Sequence, residues 1–107
     1  MEEASKKIKE AILSTAGKYG IGIDRIILFG SRARSDYRED SDWDILVITK
    51  ERLSYTARKS FLSEVRWELV NFGIIPEILV VDSETFENNK RFAGFVYYWA
   101  KKEGIML

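Results

Sequence analysis

The stretch FGSRARSDYREDSDWDILVI, Phe29 to Ile48, decides how the chain is read. It joins two apolar runs through a turn and a charged loop. The first run ends at Phe29, where Gly30-Ser31 breaks it. The second, Trp43 to Ile48, carries Asp42 and Asp44 at its mouth, one residue apart. Side chains alternate along a strand, so the two carboxylates share a face, with Cα atoms about 7 Å apart. Trp43, Ile45 and Val47 turn to the other face. Two like charges this close repel unless something neutralises them. A divalent cation does so, and hard cations prefer carboxylate oxygen.

A lone D-x-D at a strand start is commonly no more than solvated charge, so its neighbours decide the reading. A glycine after a strand, followed by a small hydroxyl residue opening a helix, lets backbone N–H groups come close to a phosphate. The Ser31 hydroxyl adds a donor. Arg32 and Arg34 lie on the same turn and offer charge-assisted contacts. A phosphate cradle beside a cation clamp, on adjacent strands, is the equipment of nucleotidyl transfer.

The elements follow outward from this centre. Residues ~5–19 read as an amphipathic helix, with Ile8, Ala11, Ile12 and Tyr19 on one stripe and Gly20 as its stop. Arg25 to Phe29 is a first strand, and Arg32 to Ser35 a short helix with Ser31 near its start. Residues 36–41 are polar loop. Trp43 to Ile48 is too apolar to keep a solvent face and is placed at the centre of the sheet. Ser54 to Phe72 reads as a long helix burying Ala57, Phe61, Leu62, Val65 and Leu69, with Trp67 as flanking packing and Gly73 as its stop. Glu77 to Val81 is a third strand after Pro76, and Asp82 or Ser83 caps a further helical stretch. Phe92, Phe95, Val96 and Trp99 mark a last helix to about Glu103, with Gly104 as its stop. Core packing is the first reading of that aromatic stripe and a partner interface the second. The order predicts a small α/β (α+β) sandwich, with helices on a short mixed sheet.

Composition sets the outer bounds. A chain of 107 residues is read as one domain, 1–107. With neither cysteine nor histidine there is no disulfide framework and no ordinary zinc site. Any metal must therefore be held by oxygen, which points to magnesium, manganese or calcium. With no disulfide framework a cytoplasmic setting is the default; no run approaches the roughly 18 apolar residues of a membrane helix, and the acidic N-terminus has no signal-peptide core. The 17 basic and 17 acidic residues cancel. Balanced charge argues against extended nucleic-acid binding, which favours basic domains, but leaves room for a local patch that holds a nucleoside triphosphate.

Gly30-Ser31, ten residues, then Asp42-x-Asp44 resembles the GSx10DxD signature of the minimal nucleotidyltransferases of the DNA polymerase beta superfamily. The flanks IILFGSRARSD and SDWDILVI, and the closing WAKKEGIML, are similar to further blocks of that family, so the resemblance spans nearly the whole chain. It implies that Gly30, Ser31, Arg32 and Arg34 bind the nucleotide. It also implies that Asp42 and Asp44 ligate Mg2+, with Mn2+ as the alternative ion. A third acid helps bind the metal and accepts the proton of the attacking hydroxyl. Glu77, in IPEILVV, fits that place better than Asp82, which suits a helix cap. Two departures stand out: Ser35 where many members have a second glycine, and Glu77 where aspartate is commoner. The resemblance further implies transfer of AMP from ATP to a hydroxyl on a HEPN-domain partner in a toxin–antitoxin pair. The alternative is a weak or inactive antitoxin-like module that acts by binding that partner. Since the length is about that of a catalytic core, the remaining surface is expected from a partner or from a second copy in a homo-oligomer.

Overall fold

The central strand organises the molecule. A computed structural model describes residues 2–92 and 96–107 of the chain. Its elements run α1 (Glu2–Tyr19), β1 (Ile23–Phe29), α2 (Gly30–Arg34), β2 (Trp43–Thr49), α3 (Tyr55–Asn71), β3 (Pro76–Asp82), α4 (Ser83–Asn89), α5 (Val96–Glu103) and β4 (Ile105–Met106). The sheet order is β3-β2-β1-β4. β2 and β3 are parallel, joined by the α3 crossover, while β1 runs antiparallel to both β2 and β4. The fold is thus the expected α+β sandwich on a mixed sheet, with β2 inside it.

The continuous apolar run of β2 has a direct cause: both of its faces are covered. On one face Trp43, Ile45 and Val47 pack with Ile8 and Ile12 of α1 and with Phe61, Val65 and Leu69 of α3. On the other, Leu46 and Ile48 meet Ile27, Val81, Phe86 and Ala100, under α4 and α5. This second cover stops short of the opening residues of β2 and β3. There Asp42 and Glu77 are exposed and Asp44 is half-buried.

Several expectations change. α1 begins at Glu2 rather than near residue 5. β1 begins two residues early, across a register shift between Ile23 and Arg25. Trp67 does not pack: it is 70% exposed, because it lies two residues from Val65, nearly opposite the face that Phe61, Val65 and Leu69 bury. The aromatic stripe of the last helix is also not core. Phe92, Val96 and Trp99 are all more than one-third exposed, and Phe95 lies outside the described residues. The fully buried contact of α5 among the described residues is Ala100, 1% exposed, whose small side chain lets the helix sit close to the sheet, with Tyr97 packed beside it on Phe86. A Cβ on Gly104 would collide with the Ala100 carbonyl and Ile27 Cγ2. Gly104 therefore does more than stop α5: it lets β4, a strand too short for the sequence to announce, reach Ile27 and Leu28 of β1. Among the described residues no helix is long and apolar enough to cross a membrane.

Candidate active site

The turn after β1 and the head of β2 interlock. Gly30 has φ +72°, a left-handed conformation that favours glycine. A Cβ placed there would overlap Asp44 Oδ2 and lie 3.0 Å from Asp44 Cγ. The Gly30 backbone thus abuts the Asp44 carboxylate, which Phe29↔Asp44 pairing in the β1–β2 ladder brings alongside. Ser31 follows as the second residue of α2. No side chain caps that helix, so its early backbone donors are left for another partner. The helix ends at Ser35, whose φ of 66° is also left-handed and whose N–H donates to the Ser31 carbonyl. A serine thus occupies a conformation in which glycine is more comfortable, which gives a backbone reason for the glycine common at that place in the resembled family.

Asp44 has a second acidic neighbour. The parallel β2–β3 register pairs it with Glu77, so both side chains stand on the same face of adjacent strands, about 4.8 Å apart along the ladder. Burial, then the negative charges of Asp42 and Glu77, push the Asp44 carboxyl above its ordinary value, and Arg34 partly draws it back. Asp42, Glu77 and Arg34 thus all lie close enough to act on Asp44 electrostatically. Asp82 stands apart. It pairs with Thr49 at the other end of β3, roughly 17 Å along the strand from Glu77. Its carboxylate accepts from the Thr85 N–H at 3.0 Å and the Thr85 hydroxyl at 2.8 Å. Those bonds hold it below its ordinary value and make it the N-cap of α4.

The two arginines of the turn part company. Arg34 is exposed beside the acids, with Nε donating to Asp36 at 3.3 Å. Arg32, expected beside a phosphate, instead turns inward and is 8% exposed. Its Nη2 donates to the carbonyls of Glu39 and Ser41, each at 3.0 Å. The guanidinium lies 4.2 Å from the Tyr37 ring centroid and 4.4 Å from that of Trp43, which places it on the Trp43 side of the sheet. Its Nε is buried without a partner. Arg32 therefore fastens the loop 36–41, which delivers Asp42, to the short helix before it. This role was missed in the sequence. The signal for it was an aromatic near each end of the loop, Tyr37 within it and Trp43 just after it, within reach of one arginine.

Among the described residues no three acidic side chains already converge as a metal site. The donor chemistry nonetheless suits a hard divalent cation: three carboxylates, no sulfur or imidazole, and a crowding of negative charge at Asp44 that such an ion would relieve. With the uncapped start of α2 at the Gly30 turn beside it, the arrangement has the groups to neutralise and orient a metal–triphosphate.

Comparison with known proteins agrees. The sequence profile of the nucleotidyltransferase domain matches residues 5–104. A relative from Methanocaldococcus jannaschii, named "Putative protein adenylyltransferase MJ0604", is 33% identical over 102 residues, covering 95% of each chain. A solved structure described as "Structure of putative minimal nucleotidyltransferase" aligns with a TM-score of 0.63 at 27% identity, over 98% of this chain and 94% of that one. Another, "Crystal structure of the toxin-antitoxin with AMP-PNP", shares the fold, with a TM-score of 0.57 at 21% identity over 91% of this chain and 69% of that one.

Proposed function

The chain belongs to the nucleotidyltransferase domain family and is a transferase of that type, and on that premise we propose that it moves AMP from ATP to a hydroxyl of a protein acceptor, with magnesium. The observation that carries this reading is the row Asp44–Glu77, flanked by Asp42 and backed by Gly30. The Gly30 turn and the Ser31 N–H and hydroxyl would hold the β- and γ-phosphates, with Arg34 supplying positive charge at the rim. Asp42, Asp44 and Glu77 would hold magnesium, which when bound neutralises charge on the triphosphate. Arg32 would position Asp42 rather than touch nucleotide.

In the reaction, the acceptor oxygen forms a bond to the α-phosphorus in line with the bond to the β-phosphate oxygen. That bond breaks, and pyrophosphate leaves with its electron pair. Glu77 takes the acceptor proton. Most of the acceleration comes from positioning and charge neutralisation.

The related protein named as an adenylyltransferase and the toxin–antitoxin complex of like fold support a protein acceptor. A HEPN-domain toxin encoded beside this chain is our candidate partner. Incubation of both proteins with α-labelled ATP tests the reading. Label should pass to the partner with magnesium, and Asp42→Ala or Asp44→Ala should abolish it. Full transfer by both variants would remove the site assignment. Tight partner binding without magnesium-dependent ATP binding would instead favour an antitoxin that acts by occlusion.

A further inference from the structure

Among the described residues the outer edge of β3 is the end of the sheet and has no strand beside it. A groove of about 530 Å³ follows this edge and touches every residue from Ile78 to Asp82, hence both faces of the strand. One wall comes from the start of α3, with Tyr55 and Arg58, and from Arg52 just before it. The other comes from Thr85 of α4 and Val96 of α5. Leu79 is part-exposed on the floor. Along such an edge, alternate residues leave N–H and C=O groups unpaired, which makes it a template for another strand. The charge of the walls is mainly positive. Among the described residues the side chains of Arg52 and Arg58 make no ion pair. The one acid in the lining, Asp82, accepts from Thr85 at the α4 N-terminus and offsets part of the Arg52 charge, which leaves the lining with one net positive charge.

We propose that this groove is the acceptor site: an extended, acidic polypeptide segment adds to the sheet beside β3 and presents its hydroxyl residue opposite Glu77. Strands in a sheet lie about 4.8 Å apart and in-register side chains share a face. An added residue opposite Glu77 therefore extends the row Asp44–Glu77 by one place, with its side chain on the carboxylate face. Main-chain bonds supply affinity without demanding a particular sequence, and the arginines select for acid. The inference rests on the transfer reading for the identity of the reaction. The docking itself does not require nucleotide.

The probes are three synthetic peptides of alternating valine pattern with one central tyrosine. The first has glutamate at the polar positions, the second lysine, and the third glutamate with alternate backbone amides N-methylated. Binding is read by fluorescence anisotropy without ATP or metal. The glutamate peptide should bind about tenfold tighter than the lysine peptide, the sum of two rim ion pairs. N-methylation should abolish binding, and the double variant Arg52→Glu/Arg58→Glu should reverse the charge preference. With labelled ATP and magnesium, the tyrosine of the glutamate peptide should take up label. Equal binding of both charge types, or undiminished binding of the N-methylated peptide, overturns the proposal. So does displacement of the peptide by a short oligoribonucleotide whose own binding the double variant abolishes, since the arginines would then serve phosphates. Binding without label, while the enzyme labels another acceptor, overturns the acceptor role. No label on any acceptor counts against the transfer reading alone, because docking is scored without ATP.

Discussion

Gly30→Ala is the sharpest test of the interlock between turn and carboxylate. Alanine in the left-handed region costs roughly 1–2 kcal/mol from its own backbone sterics. Its Cβ would also overlap Asp44 Oδ2. Relieving that overlap by turning the Asp44 side chain off its rotamer adds about 0.5–1.5 kcal/mol. The expected loss of stability is therefore about 1.5–3.5 kcal/mol, or roughly 6–28 °C in Tm at about 4–8 °C per kcal/mol. Activity should suffer more, because a displacement of about 1 Å in a positioned group costs on the order of a hundredfold. Gly20 supplies the control. It too has positive φ, +68°, but a Cβ there meets nothing within 4 Å. Gly20→Ala should show the backbone cost alone and keep full transfer. Denaturant midpoints and single-turnover transfer of α-labelled ATP measure both quantities. If Gly30→Ala and Gly20→Ala lost the same stability and both kept full activity, Gly30 would be only a turn residue and the reasoning would fail. A further arm is Asp44→Ala in the Gly30→Ala background, which should recover the part of the stability loss due to the overlap.

Other expectations can be checked separately. Arg32→Lys keeps the charge but loses the planar guanidinium that packs on Tyr37 and Trp43 while holding the Glu39 and Ser41 carbonyls. It should raise the magnesium concentration for half-maximal transfer by about 10- to 100-fold while leaving the KM for ATP unchanged; the reverse pattern would return Arg32 to the nucleotide. Asp44→Asn removes a carboxylate crowded by Asp42 and Glu77, so it should raise Tm at pH 7 without metal, even as transfer is lost. Wild-type protein should gain Tm from magnesium and lose it again to a chelator, and Asp44→Asn should respond little to either; equal responses would place the ion elsewhere. Asp82→Ala should cost about 1 kcal/mol at neutral pH through the lost α4 cap. Because the folded Asp82 pKa is lowered from 3.8, its stabilising effect is complete above that value and fades as pH falls through the folded pKa. Asp82→Asn should therefore show a flatter urea midpoint than wild type between pH 5 and acid extremes of about 2, and an identical acid profile would exclude the cap as a titrating contributor.

What could be read in the sequence was governed by whether neighbours along the chain are also neighbours in space. β2 was legible because burial on both faces leaves a continuous apolar run. Asp42 and Asp44 stood out because charge at the head of such a run is costly. Glu77 was preferred to Asp82 from its place in IPEILVV and the capping pattern at Asp82, but its position beside Asp44 comes from the β2–β3 register, which no local pattern encodes. The inward placement of Arg32 was not legible because its partners, two loop carbonyls and two rings, come together only when the loop closes. The last helix was read from Phe92, Phe95, Val96 and Trp99, whereas the contacts that seat it among the described residues are Ala100 and Tyr97. Trp67 failed likewise, since bulk alone does not say which way a residue faces.

The head of β2 also bears on how the chain finds its fold. Ile45, Leu46, Val47 and Ile48 are all buried, so sliding this strand by one residue would still fill both faces with aliphatic side chains. Hydrophobicity by itself is a weak ruler here. Asp42-Trp43-Asp44 is not so forgiving. A slip of one place would drive a carboxylate among Ile8, Phe61 and Val65 and put the indole out at the open end, a change of several kcal/mol. The acids proposed to hold the metal would thus act earlier as an alignment key, so selection for catalysis and selection for correct strand pairing would bear on the same three residues.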